Sequence, residues 1–270
     1  MTSSIEPVTI EAPHRIRRPV MIQGWNNLAA IHWRYRPDEV QVLLPDGFTV
    51  DTFDGSAWVG LIPFQMNRIR VPGLRPFGRW STFPETNVRT YIVDPDGRRG
   101  VWFLSLDINR LVPTMVARIT YRLPYCWSSM RIGSVSASDS PSSPNVLSDS
   151  PDGRYEETMW TYESRRRWPK GDAASLVSVR VGRRLDPEEL TDLDHFLSAR
   201  WALGTRLAGR IMWAKVAHPA WSLHEAKVVT CDESLLLASG LSSPLGDHVV
   251  RWSPGVEVAI ERPRMIRKRI

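Results

Sequence analysis

Glu85, Asn87 and Arg89 stand two residues apart in the segment FPETNVRTY, at the start of an otherwise apolar run. Residues two apart on a strand point to the same side of the sheet, so a carboxylate, an amide and a guanidinium are set in one row. If that side is interior, the three line a single pocket in which a carboxyl group can exchange protons and a guanidinium can hold an anion. If it faces solvent, they form a cross-strand ion-pair row of little energetic worth. Arg118 falls among Met115, Val116 and Ile119. An arginine beside an apolar stripe either snorkels to water or pairs with a buried carboxylate, and Glu85 is its candidate partner.

Other chemistries find less support. The histidines, His14, His32, His195, His218, His224 and His248, include no i, i+4 pair and no clustered Cys/His spacing of the kind zinc needs. His32, between Ile31 and Trp33, is more simply a hydrogen-bonded sheet histidine than a catalytic one. His218 and His224 bracket a Pro-Ala-Trp turn and read as loop hydrogen-bonding groups. With no G-x-S-x-G elbow, P-loop or G-x-G-x-x-G, the chain is expected to carry neither a metal nor another cofactor.

Pattern also shows the elements that must hold the row. Residues 86–93 and 100–106 bracket DPDGRR and read as a hairpin. Residues 48–53 and 56–66 flank Asp54-Gly55, a pair that tolerates positive φ and suits a type I′ turn. The second arm, SAWVGLIPFQM, is apolar nearly throughout and belongs inside the sheet. Beside the row, strict alternation would put Trp102, Leu104 and Leu106 on one face and Phe103, Ser105 and Asp107 on the other. Ile108, Leu111, Val112, Met115, Val116, Ile119 and Leu123 follow at helical spacing, with Asp107 or Asn109 available as a cap and Pro113 as an alternative start.

A short helix is expected at Pro37 after a strand over 28–35, and another from Asp186-Pro187-Glu188-Glu189 to about Ala199. Further strands are expected at 155–167, 175–181, 225–231 and 256–262, a hairpin about Gly209, and a short helix or turn at 234–240. Residues 68–79, with Pro, Gly and Arg, read as a surface loop able to lid a cleft. The expected organisation is an extended lead-in over 1–19, one domain over 20–262 interrupted by a Ser/Pro-rich excursion at 134–152, and a basic tail at 263–270.

Composition sets outer bounds. Hydrophobic residues at 42% and charged residues at 24% are ordinary globular usage, while 12 Trp point to a wide aromatic-lined interior or cleft. The net charge of +6 is spread over short clusters such as Arg165-Arg166-Arg167 and Arg183-Arg184, without a nucleic-acid motif, so a solvated surface is expected and no nucleic-acid partner. Two cysteines, no signal-peptide pattern and no apolar run of membrane-spanning length lead to a cytoplasmic expectation, with no membrane association.

At these residues the chain resembles a known family. HWRYRPDEVQVLLPDGFTVDTFDGSAWVGLIPF, FPETNVRTY, GVWFLSLD and LPY are similar to the YqjF-type family of uncharacterised bacterial proteins, over nearly all of residues 20–260. That family is similar in turn to acetoacetate decarboxylase. The resemblance implies a mainly β fold with a few helices, a large antiparallel sheet curled into a cone-like barrel around a central pocket. It places Glu85 on an active-site glutamate, matches Tyr35-Arg36 and Leu44-Pro45 to the decarboxylase entry segment, and matches Ala117-Arg118 and Pro124 to a Gly-Arg…Pro segment. Where the decarboxylase has two lysines after that proline, this chain has Tyr125 and Cys126. Neither phenol nor thiol forms an iminium electron sink, so Schiff-base decarboxylation is disfavoured, and Lys170 and Lys215 have no claim to the position.

The resulting expectation is a small-molecule-binding protein with Glu85, Asn87, Arg89, Arg118 and Tyr125 in or near the pocket, aromatic walls from Trp58 and Trp102, and an anionic, carboxylate-bearing ligand. The alternative is a lyase or hydratase-like enzyme using Glu85 as general acid/base and Tyr125 as proton donor without a covalent intermediate. A third reading is a structural or interaction protein. A homo-oligomer is compatible with the sheet edges of an open barrel.

Overall fold

Long extended runs rich in β-branched and aromatic residues dominate the chain, and the computed structural model, which describes residues 4–73, 81–110, 125–136, 158–169, 171–207 and 210–266, is accordingly built mostly of strands. In order these are β1 (Met21–Tyr35), helix α1 (Pro37–Gln41), β2 (Thr49–Val50), β3 (Thr52–Phe53), β4 (Ser56–Arg70), β5 (Phe83–Val93), β6 (Arg99–Ile108), β7 (Tyr125–Ser136), β8 (Thr158–Trp168) and β9 (Ala174–Arg184). Helix α2 (Asp192–Ser198), β10 (Ala202–Leu207), β11 (Arg210–Ala217), β12 (His224–Glu233), helix α3 (Leu235–Ala238), β13 (Leu245–Ile260) and β14 (Arg264–Met265) complete the order. Arg118, Lys170 and the helix expected after Asp107 lie outside the described residues, as does most of the Ser/Pro-rich excursion.

Nine strands close on themselves in the order β6-β7-β8-β9-β12-β13-β1-β4-β5 and back to β6. Closure satisfies the ladder without leaving edges on these strands. The β10–β11 hairpin lies outside the ring as a strap. Leu203 pairs in parallel with Val101 of β6, and Val216 pairs with Ile260 of β13. Asp54 and Gly55, both at positive φ, make the tight β3–β4 connection.

The ring's interior is packed. Ile31, Val59, Leu61, Val88, Val177 and Val179 are wholly buried in one cluster with Trp160, Tyr162 and Trp252. Tyr162 Oη donates to Asn27 O at 2.7 Å and accepts from Trp252 Nε1 at 3.1 Å, tying β8 to β1 and β13 across the barrel. Described side chains therefore fill this part of the interior. A second layer instead covers the outside of β1, β4, β5 and β6. It contains Phe196 and Leu197 of α2, Val8 of the lead-in, Leu203 of the strap and Trp221.

This layering explains the sequence patterns. Strands β4 and β5 are buried on both faces and read as nearly continuous apolar runs, whereas β8 and β9 alternate buried and exposed. Several expected elements differ: β1 begins at Met21 rather than 28, and β4 runs on to Arg70, into the loop expected at 68–79. The helix begun at Asp186 stops after one 3₁₀ turn, Pro187–Glu189, and α2 starts afresh with Thr191 as its cap, accepting from Asp194 N at 3.2 Å. The last long strand begins at Leu245 rather than 256. No helix among the described residues is long and apolar enough to cross a membrane.

Candidate functional site

Glu85, Asn87 and Arg89 face outward from the ring into the covered layer. Their register partners on β4 are Phe64, Ile62 and Gly60, residues of the same face. All three side chains are buried, at 4%, 4% and 8% exposure. Among the described residues, Glu85 Oε2, Asn87 Oδ1 and Arg89 Nε have no hydrogen-bond partner. Burial first, and the charge of Asp107 second, push the Glu85 carboxyl up to about 8, so it is largely protonated at neutral pH and able to donate. Tyr125 shares this face, and burial followed by the charge of Glu85 pushes its phenol well above 10.

The Arg89 end of the row is positioned through a glycine. Gly60 of β4 pairs with His32 of β1 on one side and Arg89 of β5 on the other. With no Cβ there, the imidazole lies over Gly60, where an added Cβ would come within 2.7 Å of His32 Nε2. Tyr91 Oη gives its hydrogen to Leu197 O at 2.9 Å, so His32 Nε2–H donates to Tyr91 Oη at 2.7 Å. Burial first and Arg89 second hold His32 well below its usual 6.5, and the ring is neutral. Leu197 O also accepts from Arg89 Nη2 at 3.4 Å, and Phe196 O accepts from Arg200 Nε at 2.8 Å. Cationic groups thus meet the C-terminal carbonyls of α2, the favourable end of its dipole.

Two small cavities flank Arg89. One, of ≈ 30 Å³, lies between β1, β13 and α2; the other, of ≈ 20 Å³, lies under the strap near Arg200 and His218. Ser198 and Trp221 border both. The other arginines nearby are compensated: Arg251 by Asp194 at 2.8 Å, and Arg200 and Arg99 by Asp51 at 2.6 and 2.5 Å. Arg89 has no acidic partner among the described residues.

The remaining expected residues separate. Trp58 is buried on the row's face beside Tyr91 and Phe196, with Arg34 5.1 Å above its ring, and borders neither cavity. Trp102 is turned to the opposite face, against Phe48 and Trp213, and is no wall of this site. The strict alternation on β6 fails because a bulge opposite Val88 and Arg89 inserts Leu104. Phe103 then pairs with Arg89 and Leu106 with Asn87 on the outer side, while Ser105 and Asp107 turn into the barrel. The Tyr125-Cys126 pair likewise divides between faces: Tyr125 lies outward near Glu85, and Cys126 pairs with Asp107 inside.

Asp107, whose expected role as a helix cap falls on a helix outside the described residues, is half of an interior ion pair. Arg166 Nη2 and Nε donate to its two oxygens at 2.7 and 3.0 Å, and Ser105 and Ser128 donate at 2.8 and 2.6 Å. Arg166, expected on the solvated surface, has its side chain 8% exposed. The register that aligns β6 with β8 across β7 creates this pair, and no local pattern signals it. His32 was singled out from the sequence; its neighbours Leu223, Val249 and Arg251 were not, since long-range pairing brings them in. Among the described residues no group of three His, Cys, Asp or Glu could hold a metal ion.

A family model described as an uncharacterized conserved protein, DUF2071, matches residues 22–257. The chain belongs to the DUF2071 family. A relative of this DUF2071 chain, the uncharacterized protein YqjF of Bacillus subtilis (strain 168), is 26% identical over 96% of both chains. Among solved structures, an acetoacetate decarboxylase-like enzyme from Sphingomonas wittichii RW1 superposes with a TM-score of 0.60 at 11% identity, over 92% of this chain and 93% of its own. The enduracididine biosynthesis enzyme MppR complexed with pyruvate superposes at 0.56 with 14% identity, over 94% and 92%. At such identities the likeness establishes the acetoacetate decarboxylase-like fold of the DUF2071 chain and nothing of its chemistry.

Proposed function

We propose that this protein binds a small carboxylate-bearing molecule, without covalent attachment, against the outer face of β5. The observation that carries the reading is the row Glu85, Asn87, Arg89, buried on one face with a polar atom of each left unpaired among the described residues. Leaving a buried polar group unsatisfied costs about 1–3 kcal/mol, more when it is charged, and a ligand that supplies the missing partners offsets that cost. Arg89 provides a planar cationic fork and the protonated Glu85 a donor. MppR, of similar fold, is solved with pyruvate, a carboxylate of this size class. Thermal unfolding of the full chain against small carboxylates and the corresponding amides tests the reading. A carboxylate at a hundred times its Kd is expected to raise Tm by about 5 °C, the amide far less. No carboxylate raising Tm, or amides raising it equally, would refute it.

A second reading, catalysis by proton transfer, is favoured by Glu85's raised pKa of about 8 beside Tyr125. On that reading Glu85→Gln abolishes turnover of a carbonyl acid while ligand affinity is kept; turnover that survives the substitution would exclude it.

A further inference from the structure

The two ends of the row are unlike. At the Glu85 end the neighbours are Phe64, Ile108 and a phenol; at the Arg89 end they are the two cavities. The larger cavity is walled by Leu28, Ala30, Leu223, Val249 and Trp221. Its polar groups are largely committed. Ser198 Oγ donates to Asp194 O at 2.6 Å, His32 is bonded to Tyr91, and Arg251 is bound to Asp194. What remains is the Arg89 guanidinium, 8% exposed, with its Nε unpaired and one bond of 3.4 Å from Nη2.

A guanidinium held among apolar walls, with no acidic partner among the described residues, is an uncompensated buried charge, which is costly unless an anion completes it. We propose that the Arg89 recess is the seat of a short aliphatic monocarboxylate, its carboxylate on the guanidinium and its alkyl end against Leu28, Ala30 and Val249. This rests on the carboxylate reading above and narrows it to one end of the row and one ligand class. Size follows from the space. A water-sized group needs roughly 10–15 Å³ by the same measure, so ≈ 30 Å³ on one side and ≈ 20 Å³ on the other accommodate a carboxylate with one or two carbons. Charge follows from the compensation pattern: among the described residues, one cation without an acidic partner and a neutral imidazole match a monoanion, whereas a phosphate dianion would bring a second charge with no partner. The residues that would set this selectivity come from β1, β13 and the 218–223 loop as well as from β5.

The test is calorimetric titration of the full chain with acetate, propionate, hexanoate and inorganic phosphate at constant ionic strength. Acetate and propionate are expected to give saturable heats, and hexanoate and phosphate none. Arg89→Gln should weaken propionate binding about tenfold or more, the range expected for loss of a charge-assisted hydrogen bond. Ala30→Leu, which fills the apolar wall and leaves the guanidinium in place, should weaken propionate more than acetate, and it keeps the test available if Arg89→Gln does not fold. Phosphate binding as well as acetate, hexanoate binding as well as propionate, or unchanged propionate affinity in a folded Arg89→Gln or Ala30→Leu protein would overturn the proposal. If binding is lost in Glu85→Gln and kept in Arg89→Gln, this seat is wrong and the broader carboxylate reading stands. If no carboxylate binds the unsubstituted chain, both fall.

Discussion

Gly60→Ala is a sharp probe of how the site is held, because local and tertiary arguments predict opposite signs. Alanine in a strand interior is ordinarily better than glycine by roughly 0.5–1 kcal/mol, and Gly60 is not among the glycines at positive φ. The tertiary contact reverses this. The new methyl would lie 2.7 and 2.8 Å from His32 Nε2 and Cδ2 and 3.0 Å from Ile62 Cδ1. Ordinary carbon contacts begin near 3.5 Å, so the imidazole must move by about 0.7 Å. Moving it breaks the bond that holds Nε2 2.7 Å from Tyr91 Oη, in a ring that is 3% exposed. Overpacking costs about 1–3 kcal/mol and a lost buried hydrogen bond about 1, so a destabilisation of about 2–4 kcal/mol is expected. Urea unfolding followed by tryptophan fluorescence reads this as a lower midpoint with unchanged m. The contact itself is isolated by repeating the substitution in a His32→Ala background, where the penalty should fall below about 1 kcal/mol. A Gly60→Ala protein within about 0.5 kcal/mol of the original, or an equal penalty in both backgrounds, would refute the argument.

Glu85 gives the chain a pH signature. Its folded value of about 8 lies above the ordinary 4.5, raised by burial and then by Asp107, so between these values the folded chain holds a proton that the unfolded chain releases. The associated stability is complete below pH 4.5 and lost as pH rises through about 8; Glu85→Gln should flatten that fall, a gain on the order of several kcal/mol at pH 9, and an unchanged slope of stability with pH would count against the assignment. Asp107→Asn and Arg166→Met each leave one buried partner of a bidentate pair unmatched and should each cost about 3–5 kcal/mol in denaturant unfolding; a cost below about 1 kcal/mol would mean that the pair is hydrated rather than enclosed.

Much of the scaffold was legible because its signals are local. The Asp54-Gly55 turn needs two residues that accept positive φ, Pro37 with two acids starts a helix, and the alternation of β8 and β9 records one face in water. The resemblance to the decarboxylase fold, carried by whole segments such as FPETNVRTY, is matched by the superpositions. The helix expected to run from Asp186 to about Ala199 failed for a local reason as well: two caps, Asp186 and Thr191, compete within six residues, and the second takes the longer helix.

What the sequence by itself determined about the site is its composition, that Glu85, Asn87 and Arg89 share one face of one strand and that Tyr125 and Cys126, not lysines, come directly after Pro124. Which way that face points was decided only by the tertiary structure. A strand buried on both sides, as β5 is, has no hydrophilic face to mark the outside, so periodicity cannot distinguish barrel interior from covered exterior. A single bulged residue, Leu104, then set Phe103 and Ser105, two apart in sequence, on opposite faces. The recess at Arg89 and the pair of Asp107 with Arg166 join residues far apart in the chain, through the register of strands that are neighbours only once the ring has closed.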